Sequence, residues 1–137
     1  MKTNTTICAI IFILNTSCAT LSRDTYYDET PVSFQIFYDQ LGSYGQWVDY
    51  PDYGYIWIPY VRETFAPYST NGYWVLTQYG WSWISDYNWG WAVFHYGRWG
   101  FNNALGWFWV PGYEWGPAWV YWLHGNGYYG WSPIGPG

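Results

Sequence analysis

One segment of this sequence occurs three times at a fixed interval. Tyr53-Gly54-Tyr55-Ile56-Trp57-Ile58-Pro59 returns as Tyr79-Gly80-Trp81-Ser82-Trp83-Ile84-Ser85 and again as Leu105-Gly106-Trp107-Phe108-Trp109-Val110-Pro111, each start 26 residues after the last. The second and third copies hold register further, because Tyr87-Asn88-Trp89-Gly90-Trp91-Ala92 falls on Tyr113-Glu114-Trp115-Gly116-Pro117-Ala118. A fixed period of this kind means one supersecondary unit used repeatedly. Each copy follows another tryptophan, Trp47, Trp74 or Trp99, and the intervening residues include the Gly, Asn, Asp and Pro that turns require. The unit is therefore predicted to be a β-hairpin: a strand around the leading Trp, a turn, then a second strand over 53–59, 79–85 or 105–111. No helical period separates the copies, which excludes parallel βαβ units. The expected fold is all-β, an antiparallel meander of about six to eight short strands.

A fourth copy starts at Tyr129-Gly130-Trp131-Ser132, echoing Tyr79-Gly80-Trp81-Ser82, shortly before Pro136-Gly137. It is either a capping half-repeat or the sign of a chain shorter than its relatives. Ahead of the repeats, Phe34, Phe37, Tyr38 and Leu41 follow the helical period, with Ser33 placed to cap the start and Gly42 the end. A short helix is expected there, with a strand as the rival.

The first residues have a different character. Lys2, the apolar run Ile7-Cys8-Ala9-Ile10-Ile11-Phe12-Ile13-Leu14 and the small residues Thr16-Ser17-Cys18-Ala19 are ordered as in a secretory leader. The run is too short to span a bilayer as a helix. Ser17-Cys18-Ala19 suits ordinary signal cleavage, whereas Leu14-Asn15-Thr16-Ser17-Cys18 suits a lipobox with Asn15 in an aliphatic position. The lipobox is the preferred reading, because it gives the lone thiol of Cys18 a role as lipidation site and membrane anchor. This divides the chain into a leader over 1–18, a polar linker over 19–31 and an aromatic domain over 32–137. Past the leader there is no cysteine, so the domain must be held by packing alone.

Packing material is abundant: 28% of the residues are aromatic and only 9% charged. Past the leader only Arg23, Arg62 and Arg98 face nine acidic residues, a balance that argues against a nucleic-acid partner and against anionic headgroups. Within the repeated strands side chains alternate in direction. Tyr55 and Trp57 oppose Ile56 and Ile58, and Trp107 and Trp109 oppose Phe108 and Val110. Both faces are apolar in the first and third copies, so either the sheet folds over on itself or one aromatic face meets a partner. On the second alternative, Tyr55, Trp57, Trp107 and Trp109 are the candidate ligand-binding residues. In the second copy Ser82 and Ser85 make the other face polar, which marks Trp83 as core.

Chemistry for catalysis is sparse. His95 and His124 have no metal-ligand spacing, no serine sits in a nucleophile elbow, and no cofactor motif occurs. His95 is expected to satisfy a backbone group. Asp86 and Glu114 have the residue type for glycoside hydrolysis, but neither recurs in the repeat: Asp86 falls on Gly112 and Glu114 on Asn88. They are expected to orient turns or accept from indole N–H groups.

Phe37-Tyr38-Asp39, Tyr79-Gly80-Trp81, Trp89-Gly90-Trp91-Ala92, His95-Tyr96-Gly97-Arg98-Trp99 and Gly127-Tyr128-Tyr129-Gly130-Trp131-Ser132-Pro133 together resemble the Trp/Tyr/Gly-rich exported proteins of bacteria. Those proteins are known only as a domain of unknown function, some with YxWGxW-type repeats, and the resemblance runs over roughly 32–137. It implies a cell-envelope location and brings no catalytic residue. Two functions from different classes follow. One is a non-catalytic envelope module that binds glycan or another surface component on aromatic platforms. The other is a structural or protein-interaction protein whose aromatics are all core. An exposed aromatic row favours the first, a wholly buried set the second.

Overall fold

The computed structural model describes residues 31–137. The leader, Cys18 and all but the last residue of the 19–31 segment lie outside the described residues. Helix α1, Phe34–Leu41, comes first. The Ser33 hydroxyl accepts the Ile36 N–H at 3.4 Å, supplying a partner for one of the donors a helix start leaves unpaired. The helical stripe then packs on the repeats. Phe37 meets the Trp109 ring edge-on at 5.0 Å, and Phe34 and Tyr38 hold Trp47 between them at 5.2 and 5.7 Å.

Four antiparallel hairpins follow, and the all-β class holds. They are β1 (Gly45–Tyr50) with β2 (Gly54–Pro59), β3 (Gly72–Thr77) with β4 (Gly80–Ser85), β5 (Arg98–Asn102) with β6 (Gly106–Val110), and β7 (Val120–Gly125) with β8 (Tyr128–Pro133). All three repeated segments are second strands, as expected. Their glycines Gly54, Gly80 and Gly106 take φ of +70°, +96° and +73° where each strand leaves its turn. That is a left-handed conformation glycine adopts without penalty.

The register shows what the repeat is in space. Trp47 pairs with Trp57, Trp74 with Trp83 and Trp99 with Trp109 across their hairpins. The repeated unit is a cross-strand tryptophan pair. The same pair recurs as Trp122 with Trp131, which corrects the expectation of a half-repeat: the fourth unit is a whole hairpin. Its turn is Asn126-Gly127, with φ of +51° and +81°, the two-residue geometry that matches strand twist. Trp131 is therefore the counterpart of Trp83, two positions from where the echo of Tyr79-Gly80-Trp81 put it.

The hairpins do not line up in chain order. The first and third join as one sheet, β1-β2-β6-β5, while β3-β4 and β7-β8 remain two-stranded. The junction is β2 against β6 at Trp57 and Trp109. Between the second and third hairpins the chain forms a single helical turn, α2 (Gly90–Val93). Trp89, Ala92, Val93 and Phe94 bury there at the centre of the molecule. The equivalent stretch after the third hairpin, 113–118, is not helical. Pro117 stands where Trp91 does, and a proline disfavours the helical region for the residue before it, here Gly116. So Trp89 is core and its repeat partner Trp115 is exposed. Among the described residues no helix is long and apolar enough to cross a membrane.

Candidate functional site

The two-faced strands of the first and third hairpins are closed on both sides. Trp57 and Trp109 are fully buried, and their indole N–H groups donate to Leu41 O at 3.1 Å and Tyr96 O at 2.7 Å. On the opposite face Ile56 and Phe108 are buried too. Phe108 stacks on Tyr50 at 6.0 Å and lies so close over Gly100 that an added Cβ would collide with its ring. Of the four candidate binding residues, Trp57 and Trp109 thus offer no ring to a ligand. Tyr55 is half-exposed but leans on Phe34 at 5.6 Å, and Trp107 is half-buried against Phe101 at 5.2 Å. The fold does not gather these four into one open surface. Trp83 is buried as expected, but not because Ser82 and Ser85 make the other face polar: Ser85 alternates onto the face of Trp83 itself, and the other face carries Ser82 and the exposed Ile84. Ser82 is buried as well, and its hydroxyl is satisfied by that of Thr77 at 2.9 Å.

The open aromatic surface lies elsewhere, between the second and fourth hairpins. A groove of about 560 Å³ is lined by Trp74, Trp81, Trp122, His124, Tyr129 and Trp131. Each side chain gets there by strand alternation. Trp122 and His124 lie on one face of β7, opposite Trp131 and Tyr129 of β8, and Trp74 and Trp81 share the facing side of β3 and β4. Trp122 packs against Trp74 with centroids 4.8 Å apart and interplanar angle 57°, and Trp131 meets Trp74 edge-on at 5.5 Å. The groove wall is therefore a set of tilted indoles, with Trp81 and Tyr129 largely uncovered. Besides indole N–H groups, its polar edge consists of the His124 imidazole and the Tyr129 hydroxyl.

Tyr68, which no sequence signal marked, is the base of this arrangement. It is buried at φ +59°, an unusual conformation for a residue with a Cβ. Its carbonyl accepts the Trp131 indole N–H at 2.9 Å and its ring stacks on Trp74 at 6.1 Å. The hydroxyl donates to Phe94 O at 3.1 Å and accepts from Trp119 N at 3.2 Å. Burial pushes the phenol pKa far above its ordinary value. One residue thus ties the second hairpin, the central turn and the fourth hairpin together.

Of the remaining chemical candidates, His95 is tied into the packing, and Asp86 and Glu114 are not. His95 Nδ1 donates to Gly116 O at 2.9 Å, the imidazole lies flat on Trp115 at 5.6 Å, and burial pulls its pKa down. Asp86 and Glu114 are exposed, and neither carboxylate accepts a hydrogen bond among the described residues. The partnered indole N–H groups choose main-chain carbonyls instead. Among the described residues no group of three or more His, Cys, Asp or Glu is placed to hold a metal ion.

The family of unknown function DUF6600 matches residues 38–137, from the second half of α1 through all four hairpins. The chain belongs to that family. No curated protein and no solved structure matches it. The DUF6600 match takes in all four tryptophan pairs, so the open fourth pair belongs to the family region as fully as the three closed ones.

Proposed function

We propose that this DUF6600 protein is a non-catalytic module of the bacterial cell envelope that binds glycan in the groove between its second and fourth hairpins. One observation carries the reading. In three of the four tryptophan pairs the second ring is buried, whereas Trp122 and Trp131 stand partly open beside the exposed Trp81 and Tyr129. Uncovered aromatic surface on this scale marks interaction sites in soluble domains. Tilted indole faces suit the C–H faces of sugar rings, and His124 with the Tyr129 hydroxyl supplies hydrogen bonds at the rim. The location rests on the leader-like residues 1–18, with Cys18 as the lipid-anchored residue, and on the likeness to bacterial YxWGxW-type exported proteins. The closed faces around Trp57 and Trp109 favour the structural alternative for the first and third hairpins, and leave the fourth outside it.

A glycan array followed by tryptophan-fluorescence titration tests the binding. Trp122→Ala and Trp81→Ala should abolish binding and keep the near-ultraviolet circular dichroism of the core. Wild-type affinity in both variants would refute the groove. For the anchor, Cys18→Ala should release the protein from membranes and end labelling by a fatty-acid analogue. An unlabelled wild type sinks that reading.

A further inference from the structure

The strand β8 has an edge that nothing in the described structure covers. Gly125 and Tyr128 flank the two-residue turn, so the hydrogen-bonded pairs of this hairpin are Gly125 with Tyr128, Leu123 with Gly130 and Tyr121 with Ser132. The main-chain groups of Tyr129 and Trp131 consequently point away from β7. Among the described residues no backbone partner meets them. By contrast, the free edge of β4 is held at one point, where Trp83 N donates to Pro117 O at 3.0 Å.

We infer that β8 pairs with β8 of a second copy of this chain, antiparallel about a two-fold axis at Trp131. The molecule already contains the template. Its first and third hairpins join through their second strands, and the residues that meet are the second tryptophans, Trp57 and Trp109. Trp131 holds that same place in the fourth hairpin. Pairing two copies through it builds β7-β8-β8-β7, the counterpart of β1-β2-β6-β5, and satisfies the isologous geometry of a two-fold dimer.

Exposure and charge agree with this occupant. On β8 itself Tyr128 and Tyr129 are each 81% exposed, and pairing of the two edges covers part of both together with the outward main-chain groups. The whole chain has a net charge of −5, yet residues 120–133 contain no Asp, Glu, Lys or Arg. A copy approaching through this hairpin therefore meets no like charge, and the edge lacks the lysines that natural proteins use to block such pairing. The inference uses the outward main-chain edge of β8, and Ser132 beside the axis lies on the face away from the groove.

Sedimentation velocity of the purified full chain across micromolar concentrations is the test. The wild type should double in mass as concentration rises. Tyr129→Pro removes an outward N–H without touching the hairpin's own hydrogen bonds, and should hold the chain monomeric. Ser132→Lys sets like charges beside the axis on the face away from the groove. It should also give a monomer, with glycan binding intact, which separates this inference from the previous one even where the proline variant fails to fold. A wild type that stays monomeric, or a dimer that survives Ser132→Lys, overturns the assignment.

Discussion

Truncating Trp83 to Ala measures how far the tryptophan pairs hold this disulfide-free domain together. The ring is 2% exposed and contacts Trp74, Phe94 and Tyr68 with centroids 5.3, 6.1 and 6.2 Å away. Removing a packed aromatic of this size costs about 3–5 kcal/mol. One feature lowers the figure: the Trp83 indole N–H is buried without a partner. An orphaned donor carries a desolvation penalty of about 1–3 kcal/mol, which the alanine no longer incurs. The expected loss is therefore at the low end, about 3 kcal/mol. Trp57 is the control, because it is equally buried but its N–H is bonded to Leu41 O at 3.1 Å. Trp57→Ala should cost about 1–2 kcal/mol more than Trp83→Ala. Urea unfolding followed by circular dichroism, with m-values compared, reads both differences against a typical total of about 5–15 kcal/mol. A Trp83→Ala protein within about 0.5 kcal/mol of wild type would refute the core assignment. A Trp83 loss larger than that of Trp57 would refute the accounting of the orphaned N–H.

Other substitutions probe other parts of the reasoning. Gly97 and Gly127 both take positive φ, but a Cβ on Gly97 would collide with the Val110 carbonyl and the Trp109 ring, whereas Gly127 has open space. In chemical denaturation Gly127→Ala should cost about 1–2 kcal/mol, and Gly97→Ala at least about 2 kcal/mol more; equal losses would show that the close approach is immaterial. Tyr68→Phe leaves Trp119 N without its acceptor and should destabilise by about 1–3 kcal/mol in the same assay; wild-type stability would remove Tyr68 from its linking role. His95 is held neutral by burial, so its folded pKa lies below the ordinary value near 6.5. As pH falls below about 6.5 the unfolded chain takes up the proton first, so stability should drop there and level off below the folded pKa. Melting temperatures from pH 7.5 down to 5 should show this fall in wild type and a smaller one in His95→Gln; parallel profiles would count against it.

Much of this fold was legible because period and turn chemistry act locally. Three second strands follow from Gly54, Gly80 and Gly106 with their W-x-W segments, and α1 from its stripe and the Ser33 cap. The fourth hairpin carries two local signals that disagree. Tyr129-Gly130-Trp131 matches Tyr79-Gly80-Trp81 in sequence, whereas Asn126-Gly127 is the stronger hairpin signal and puts Trp122 opposite Trp131. What the sequence withheld is long-range. Alternation puts Tyr55 with Trp57 and Trp107 with Trp109, but it does not say that β2 joins β6. Burial of Trp57 and Trp109 depends on that junction and on α1, and exposure of the groove depends on how Tyr68 anchors Trp131. None of these contacts is written in a period.

Within each of the four hairpins a strand is zipped to its immediate neighbour in the chain. Such pairs close within microseconds, since only a short turn must be ordered before contacts form. The β2–β6 junction is different: its partners lie some fifty residues apart in the chain, with the second hairpin and α2 between them. Folding speed tracks the sequence separation of contacts. The rate at which this molecule reaches its native state should therefore be set by its distant meetings, Trp57 with Trp109 and Tyr68 with Trp131.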